Sequence, residues 1–304
     1  MRAGSNLEQV LESGRFAVTA ELGPPKGADP EVITRKAGIL KGYADAVNIT
    51  DNQTAIARMC SLAAAQLVIG QGLEPVMQLT CRDRNRLAMQ ADILGAAALG
   101  IKNILLLTGD HQVFGNHPET LGVFDLDSIT LIRMVKDMRD EGVFQNGEEL
   151  TVPPRLFIGA AANPYADPFP FRAIRLAKKV EAGIDFVQTQ IIYNVDKFEQ
   201  FMEQCRELGV TERCKILAGV APLKGAGMAK YMKNRVAGMD VPDEIVERLS
   251  EAGDPQDEGI NVCVEVINRV KEIEGVAGVH IMAVEWEEAV PEILSRAGLK
   301  PGSE

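Results

Sequence analysis

One local pattern recurs along the chain and limits what it can fold into: a helical segment, a glycine, one or two polar residues, then a short apolar run. Gly72, Gly100, Gly183 and Gly209 each hold the glycine position. Glycine ends a helix in the left-handed conformation without a Cβ penalty, so each marks a stop. The apolar run is clearest at Ile104-Leu105-Leu106-Leu107, which breaks into Thr108-Gly109-Asp110. Four apolar residues in a row read as a strand buried on both faces, as in a parallel sheet covered by helices.

Taken in order, the pattern predicts strands over 16–21, 44–50, 74–80, 103–107, 155–161, 186–192, 215–220 and 279–284. Helices are predicted over 7–12, 30–40, 55–69, 85–99, 127–141, 171–182, 196–208, 227–234, 243–251, 260–273 and 286–297, the first capped by Ser5 or Asn6. A long loop spans 111–125. Eight strands alternating with helices over 304 residues are the pattern of a (β/α)8 TIM barrel, an α/β fold. A doubly wound open sheet is the structural alternative, but there is no G-x-G-x-x-G and eight strands are many for it. No low-complexity linker divides the chain, so one domain over 1–304 is expected.

The composition is that of a globular protein, 46% hydrophobic and 25% charged, with a net charge of −11. Such a balance argues against a nucleic-acid or anionic-membrane surface. The five cysteines form no C-x-x-C pair, as expected of reduced thiols in a cytoplasm. The start lacks the apolar region of a signal peptide, and no stretch is long enough to span a bilayer. A cytoplasmic location without membrane insertion is the expectation.

In a barrel the strand-end residues converge on one mouth, here Glu21, Thr50, Asp51, Gln78, Thr80, Thr108, Asp110, Asn163, Gln190 and Val284. Carboxylates and amides together suit proton transfer and the binding of a polar heterocycle; the same residues also serve as caps of strands and helices. Glu21 follows Phe-Ala-Val-Thr-Ala and is fenced by Leu-Gly-Pro-Pro. Partial desolvation there would raise its pKa toward general-acid use, while Asp110, across the mouth on strand four, stays ionised. Basic residues gather at Arg82, Arg84 and Arg86 and again at Arg172, Arg175, Lys178 and Lys179. Arg172, Arg175 and Lys179 share a helical face, which makes either a phosphate clamp or a solvated charged surface. No histidines have metal-ligand spacing, and His280 reads as a structural residue of strand eight.

At these positions the chain resembles the methylenetetrahydrofolate reductase family from about Phe16 to Leu299. The resemblance rests on Ala20-Glu21 with Pro24-Pro25, Leu79-Thr80-Cys81, Leu107-Thr108-Gly109-Asp110, Ala161-Ala162 with Pro164 and Pro168, Lys179-Val180-Glu181-Ala182-Gly183, Thr189-Gln190, and Gly219-Val220 with Pro222. It implies a flavin-binding barrel that reduces 5,10-methylenetetrahydrofolate to 5-methyltetrahydrofolate. The family's general acid falls on Glu21, its flavin-adjacent aspartate on Asp110 and its folate-binding glutamine on Gln190, with Thr80 and Val284 beside the substrate. Thr50, Gln78, Leu107, Thr108, Gly109, Asp110, Ala162, Asn163, Asp167, Arg172, Arg175, Lys178 and Lys179 would hold the flavin.

The departures concern the dinucleotide. Asn163 stands where well-known members have tyrosine, Asp167 where they have histidine, Arg172 replaces an acid and Gln78 a histidine. FAD is implied by the resemblance, with FMN as the alternative. Ala226 replaces an aromatic that packs on nicotinamide, which leaves NAD(P)H or an electron-transfer partner subunit as donor, within a homo- or hetero-oligomer. Two other readings stay open: a pterin-binding methyltransferase-type barrel, and a non-catalytic flavin-binding subunit of a larger complex.

Overall fold

The computed structural model describes residues 1–299; the rest of the expected 1–304 domain, residues 300–304, lies outside them. The strands are β1 (Ala17–Leu22), β2 (Ala46–Ile49), β3 (Pro75–Thr80), β4 (Asn103–Leu107), β5 (Phe157–Ala162), β6 (Phe186–Ile191), β7 (Lys215–Val220) and β8 (Val276–Ile281). Each pairs in parallel with its sequence neighbours, and β8 closes on β1 with Ala17 opposite Gly278 and Ala20 opposite Ile281. This is the (β/α)8 barrel expected from the alternation. Around it run α1 (Asn6–Glu12), α2 (Pro30–Leu40), α3 (Ser61–Gly70), α4 (Arg86–Ala98), α5 (Ser128–Asp140), α6 (Phe171–Ala182) and α7 (Val195–Glu207). They continue as α8 (Val210–Arg213), α9 (Ala226–Arg235), α10 (Asp243–Glu251), α11 (Pro255–Lys271) and α12 (Ala289–Arg296). None of these helices is long and apolar enough to cross a membrane.

Local chemistry sets the helix starts. Ser5, Asp29, Asn85, Asp127 and Asn194 each accept a backbone N–H of the first turn, satisfying donors the helix itself leaves free. The buried layer between strands and helices forms the main apolar cluster. A second cluster fills the lower half of the barrel, where Val76, Leu105, Phe157, Phe186 and Leu217 meet Leu7, Val10 and Leu11 of α1. The Phe157 and Phe186 rings stack with centroids 5.1 Å apart, and a Cβ on Gly159 would overlap the Phe186 ring. With α1 packed across the bottom, the barrel opens into a cavity at the C-terminal ends of its strands.

Several segments differ from the sequence-based expectation: α11 begins at Pro255 rather than 260, with Asp254 capping it, and α8 is a short turn of helix that the pattern does not predict, while three others border the site. The helix expected from residue 55 begins at Ser61, because Asn52, Thr54 and Ala55 take positive φ of 46°, 57° and 55°. The Asn52 side chain accepts Arg58 N–H and the Pro25 carbonyl accepts Met59 N–H, so those donors are used outside a helix. Strand eight runs over 276–281 rather than 279–284: Gly275-Val276-Ala277-Gly278 looks like a turn, but Gly278 lets the strand approach the Ala17 backbone closely. The closing helix starts at Ala289 rather than 286, after a turn in which Glu285 has φ 49°.

Candidate active site

The strand ends surround a cavity of about 450 Å³, a size suited to a small organic ligand. Strands β1 to β3 bring Glu21, Thr50, Gln78 and Thr80 to its wall, and β6 brings Gln190. The end of β4 contributes Leu107, Gly109 and Asp110; the end of β5 contributes Ala162 and Asn163; α6 contributes Arg172, Arg175 and Lys179. Four residues of the predicted site fall elsewhere. Val284 lies three residues beyond β8 and is largely exposed, because the strand ends at Ile281; Met282 lines the cavity in its stead. The Thr108 hydroxyl turns to α5, where it accepts Ser128 N–H at 3.2 Å. Asp167 is exposed, its carbonyl accepting from Arg172 at 3.1 Å. Lys178 sits on the outer face of α6, its ammonium 5.8 Å from the Phe171 ring.

Glu21 is partly buried in the cavity wall, and among the described residues its carboxyl has no hydrogen-bond partner. Its pKa is raised to about 7, chiefly by removal from water and next by the Glu287 charge, against the opposing pull of Lys36 and Arg58. Glu287 is itself buried and held by Lys36 at 2.5 Å. Asp110 is exposed at the rim, with its carbonyl accepting from Arg82 at 3.2 Å.

Lys179 is only 8% exposed, which excludes the solvated-face reading for it. Its ammonium donates to the Ala161 carbonyl at 2.6 Å. Burial, then the neighbouring Arg175 charge, lowers its pKa to about 8, with Asp127 acting in the opposite sense. The other basic group is matched within the chain. Arg84 bridges Asp51 at 2.7 Å and Asp92 at 2.8 Å, and Arg86 forks onto Asp125. Arg82 clasps Asp83 while donating to the Asn52 and Asp110 carbonyls, so it ties three mouth loops together. Asp51, which looked like a candidate for chemistry, also accepts the Thr80 N–H and hydroxyl, both at 3.0 Å. It is a buried anchor.

Gln190 owes its placement to a bulge. The β6–β7 register shifts between Gln188 and Ile191, and the Thr189 hydroxyl takes Gly219 N–H at 2.8 Å. The Gln190 side-chain oxygen accepts Ile191 N–H at 3.0 Å, which leaves its amide NH₂ for the cavity. The sequence reading missed the floor of the cavity, made by Asn48, Gln188 and His280. The signal was present: Asn48 lies two residues before Thr50, and Gln188 two before Gln190, a spacing that repeats the inward face of a strand. His280 is buried and neutral, its pKa driven down to about 3 by desolvation, and its Nδ1 lies 3.0 Å from the Thr19 hydroxyl.

A family model for methylenetetrahydrofolate reductase matches residues 6–298. The chain belongs to the methylenetetrahydrofolate reductase family. It is 24% identical over 310 residues to a probable methylenetetrahydrofolate reductase (NADPH) of Caenorhabditis elegans, covering 96% of this chain and 44% of that protein. It is 30% identical over 240 residues to methylenetetrahydrofolate reductase 2 of Schizosaccharomyces pombe, covering 73% and 35%. With the Escherichia coli 5,10-methylenetetrahydrofolate reductase it shares 23% over 239 residues, 76% and 72% of the two chains. The chain thus spans less than half the length of the nematode and fission-yeast relatives. Among solved structures, an uncharacterized protein from Clostridium thermocellum that binds two copies of 5-methyl-5,6,7,8-tetrahydrofolic acid superposes with a TM-score of 0.68. It is 14% identical, and 93% of this chain and 97% of that one are covered; this likeness concerns the fold.

Proposed function

We propose that the chain is a single flavin-binding barrel domain that reduces 5,10-methylenetetrahydrofolate to 5-methyltetrahydrofolate. The observation that carries the reading is Glu21: a desolvated carboxyl in the cavity wall with its pKa raised to about 7. It is an acid that keeps a substantial protonated fraction near neutrality, as general-acid catalysis requires. Membership of the family and the folate bound by the structurally similar clostridial protein support the same substrate.

The cavity fits a flavin on its own terms. Lys179, Arg175 and Arg172 offer a cationic wall for a phosphate. Gly109, with φ 89°, packs so that a Cβ would stand 3.2 Å from the Thr80 and Arg82 side chains, and its bare backbone edges the cavity beside Leu107. When bound, a reduced flavin supplies hydride to the one-carbon unit. Glu21 gives its proton to a bridge nitrogen of the folate, which opens the methylene bridge to the 5-iminium cation. The Asp110 carboxylate stabilises that cation, and the free Gln190 amide orients the pterin. FAD follows from the family resemblance, and FMN is the smaller alternative. NAD(P)H supports the first half-reaction by the names of the relatives, either directly or through an electron-transfer partner subunit.

The test is reconstitution with FAD or FMN followed by chemical reduction and methylenetetrahydrofolate. The wild-type chain is expected to form 5-methyltetrahydrofolate. Glu21→Gln is expected to keep the flavin and lose turnover by about 10²–10⁴-fold, the usual scale of a general acid. Undiminished turnover in that variant would refute the assignment. A colourless protein that takes up no flavin would point to the methyltransferase-type barrel, and flavin binding without turnover in the wild type to a non-catalytic subunit.

A further inference from the structure

Asn48 carries an unmet hydrogen-bonding demand. Its side chain is 1% exposed, and neither its Nδ2 nor its Oδ1 has a partner. Among the described residues, other buried side chains leave one polar atom unpaired, whereas Asn48 leaves both. Burying an unpaired carboxamide is costly, and sequences retain such groups where something outside the chain completes them. Asn48 borders the strand-end cavity, opposite Glu21 in the β1–β2 register and opposite Val76 in the β2–β3 register. Gln188 is already engaged with Thr19 at 3.3 Å, and His280 with the same hydroxyl at 3.0 Å. The floor's wholly unengaged, fully buried carboxamide therefore belongs to Asn48.

Resting on the functional reading above, we propose that Asn48 is a binding residue that receives the O=C–N–H edge of a fused pyrimidine ring, turning its carboxamide to that edge when the cavity is filled. A carboxamide offers one N–H donor beside one C=O acceptor, the complement of a lactam. Both the flavin and the pterin of the folate present such an edge, and the experiment separates them.

Asn48→Leu removes the polar atoms at similar size, and Asn48→Asp keeps the shape while removing the donor. In one arm, FMN and FAD are titrated into the flavin-free protein by fluorescence quenching. In the other, 5-methyltetrahydrofolate is titrated into the flavin-loaded protein by perturbation of the flavin spectrum. Each variant is expected to weaken one of the two ligands about tenfold or more, the scale of a lost paired hydrogen bond; the arm affected names the ring. Ligand-free Asn48→Leu is also expected to melt about 2 °C higher than wild type, because the unpaired atoms are gone. Affinities within twofold of wild type in both arms overturn the proposal, and a lower melting point with those unchanged affinities identifies Asn48 as structural. If the leucine variant does not fold, the aspartate variant is judged on the same affinities. A wild-type chain that binds neither flavin defeats the functional reading itself, whereas wild-type binding with unaffected variants defeats only the role of Asn48.

Discussion

At the scale of single residues, function and stability pull Glu21 in opposite directions. Its folded pKa of about 7 lies above the ordinary value of 4.5, so the folded state binds the proton more tightly than the unfolded chain. The stabilising protonation is complete below pH 4.5 and is lost as pH rises through about 7, a loss on the order of 3 kcal/mol at most. Glu21→Gln escapes that loss. Thermal melts should show the variant above wild type at pH 8, with the gap closing below pH 4.5, while the wild-type rate of folate reduction falls above pH 7 as the acid is spent. Lys179 shows a second such compromise, held by the Ala161 carbonyl with its pKa lowered to about 8. Lys179→Met is expected to weaken FMN or FAD binding about tenfold, read by flavin fluorescence. Asp51 is the contrasting case. Asp51→Asn would take from Arg84 its buried carboxylate while leaving Asp92, at a cost of about 1.5–3 kcal/mol in urea unfolding, the scale of a hydrogen bond to a charged group.

At the scale of elements, the connections after the strands shape the site more than the strands do. Residues 52–55 hold Asn52 and Gln53 in the cavity wall at the expense of a left-handed, β-branched Thr54. Thr54→Gly should relieve that strain and raise stability by about 1 kcal/mol in denaturant melts. The β6 bulge depends on Gly219, where a Cβ would stand 2.7 Å from Met282 Cε and 2.9 Å from the Gln190 carbonyl. Gly219→Ala is expected to cost about 1–3 kcal/mol and to weaken folate binding with it, as titration of the product would register. Neither feature can be foreseen from hydrophobic periodicity. Asn-Gln-Thr-Ala has no glycine to announce left-handed backbone, and Phe-Val-Gln-Thr-Gln-Ile reads as an unbroken strand. By contrast Pro30–Leu40 and Phe171–Ala182 have the expected ends, because Asp29-Pro30 and Gly183 carry the helix start and stop signals locally.

At the scale of the molecule, the two ends of the barrel are separate in their energetics. Leu7 of α1 is fully buried in the lower plug, so Leu7→Ala should cost about 2–5 kcal/mol yet leave turnover per folded molecule unchanged, a contrast that calorimetry and kinetics together would reveal. The sequence by itself determined the barrel and the nearness of Glu21, Asp110 and Gln190, because alternation of apolar runs and caps is a local property and closure brings all strand ends to one mouth. It could not distinguish working from structural charges. Arg84 and Arg86 look like Arg172 and Arg175 until Asp51, Asp92 and Asp125 are seen to neutralise the first pair. Nor could it displace Val284 in favour of Met282, or reveal that Asn48 is buried without a partner. Desolvation, ion pairing and register are set by neighbours distant in the chain, so only the tertiary structure decides them.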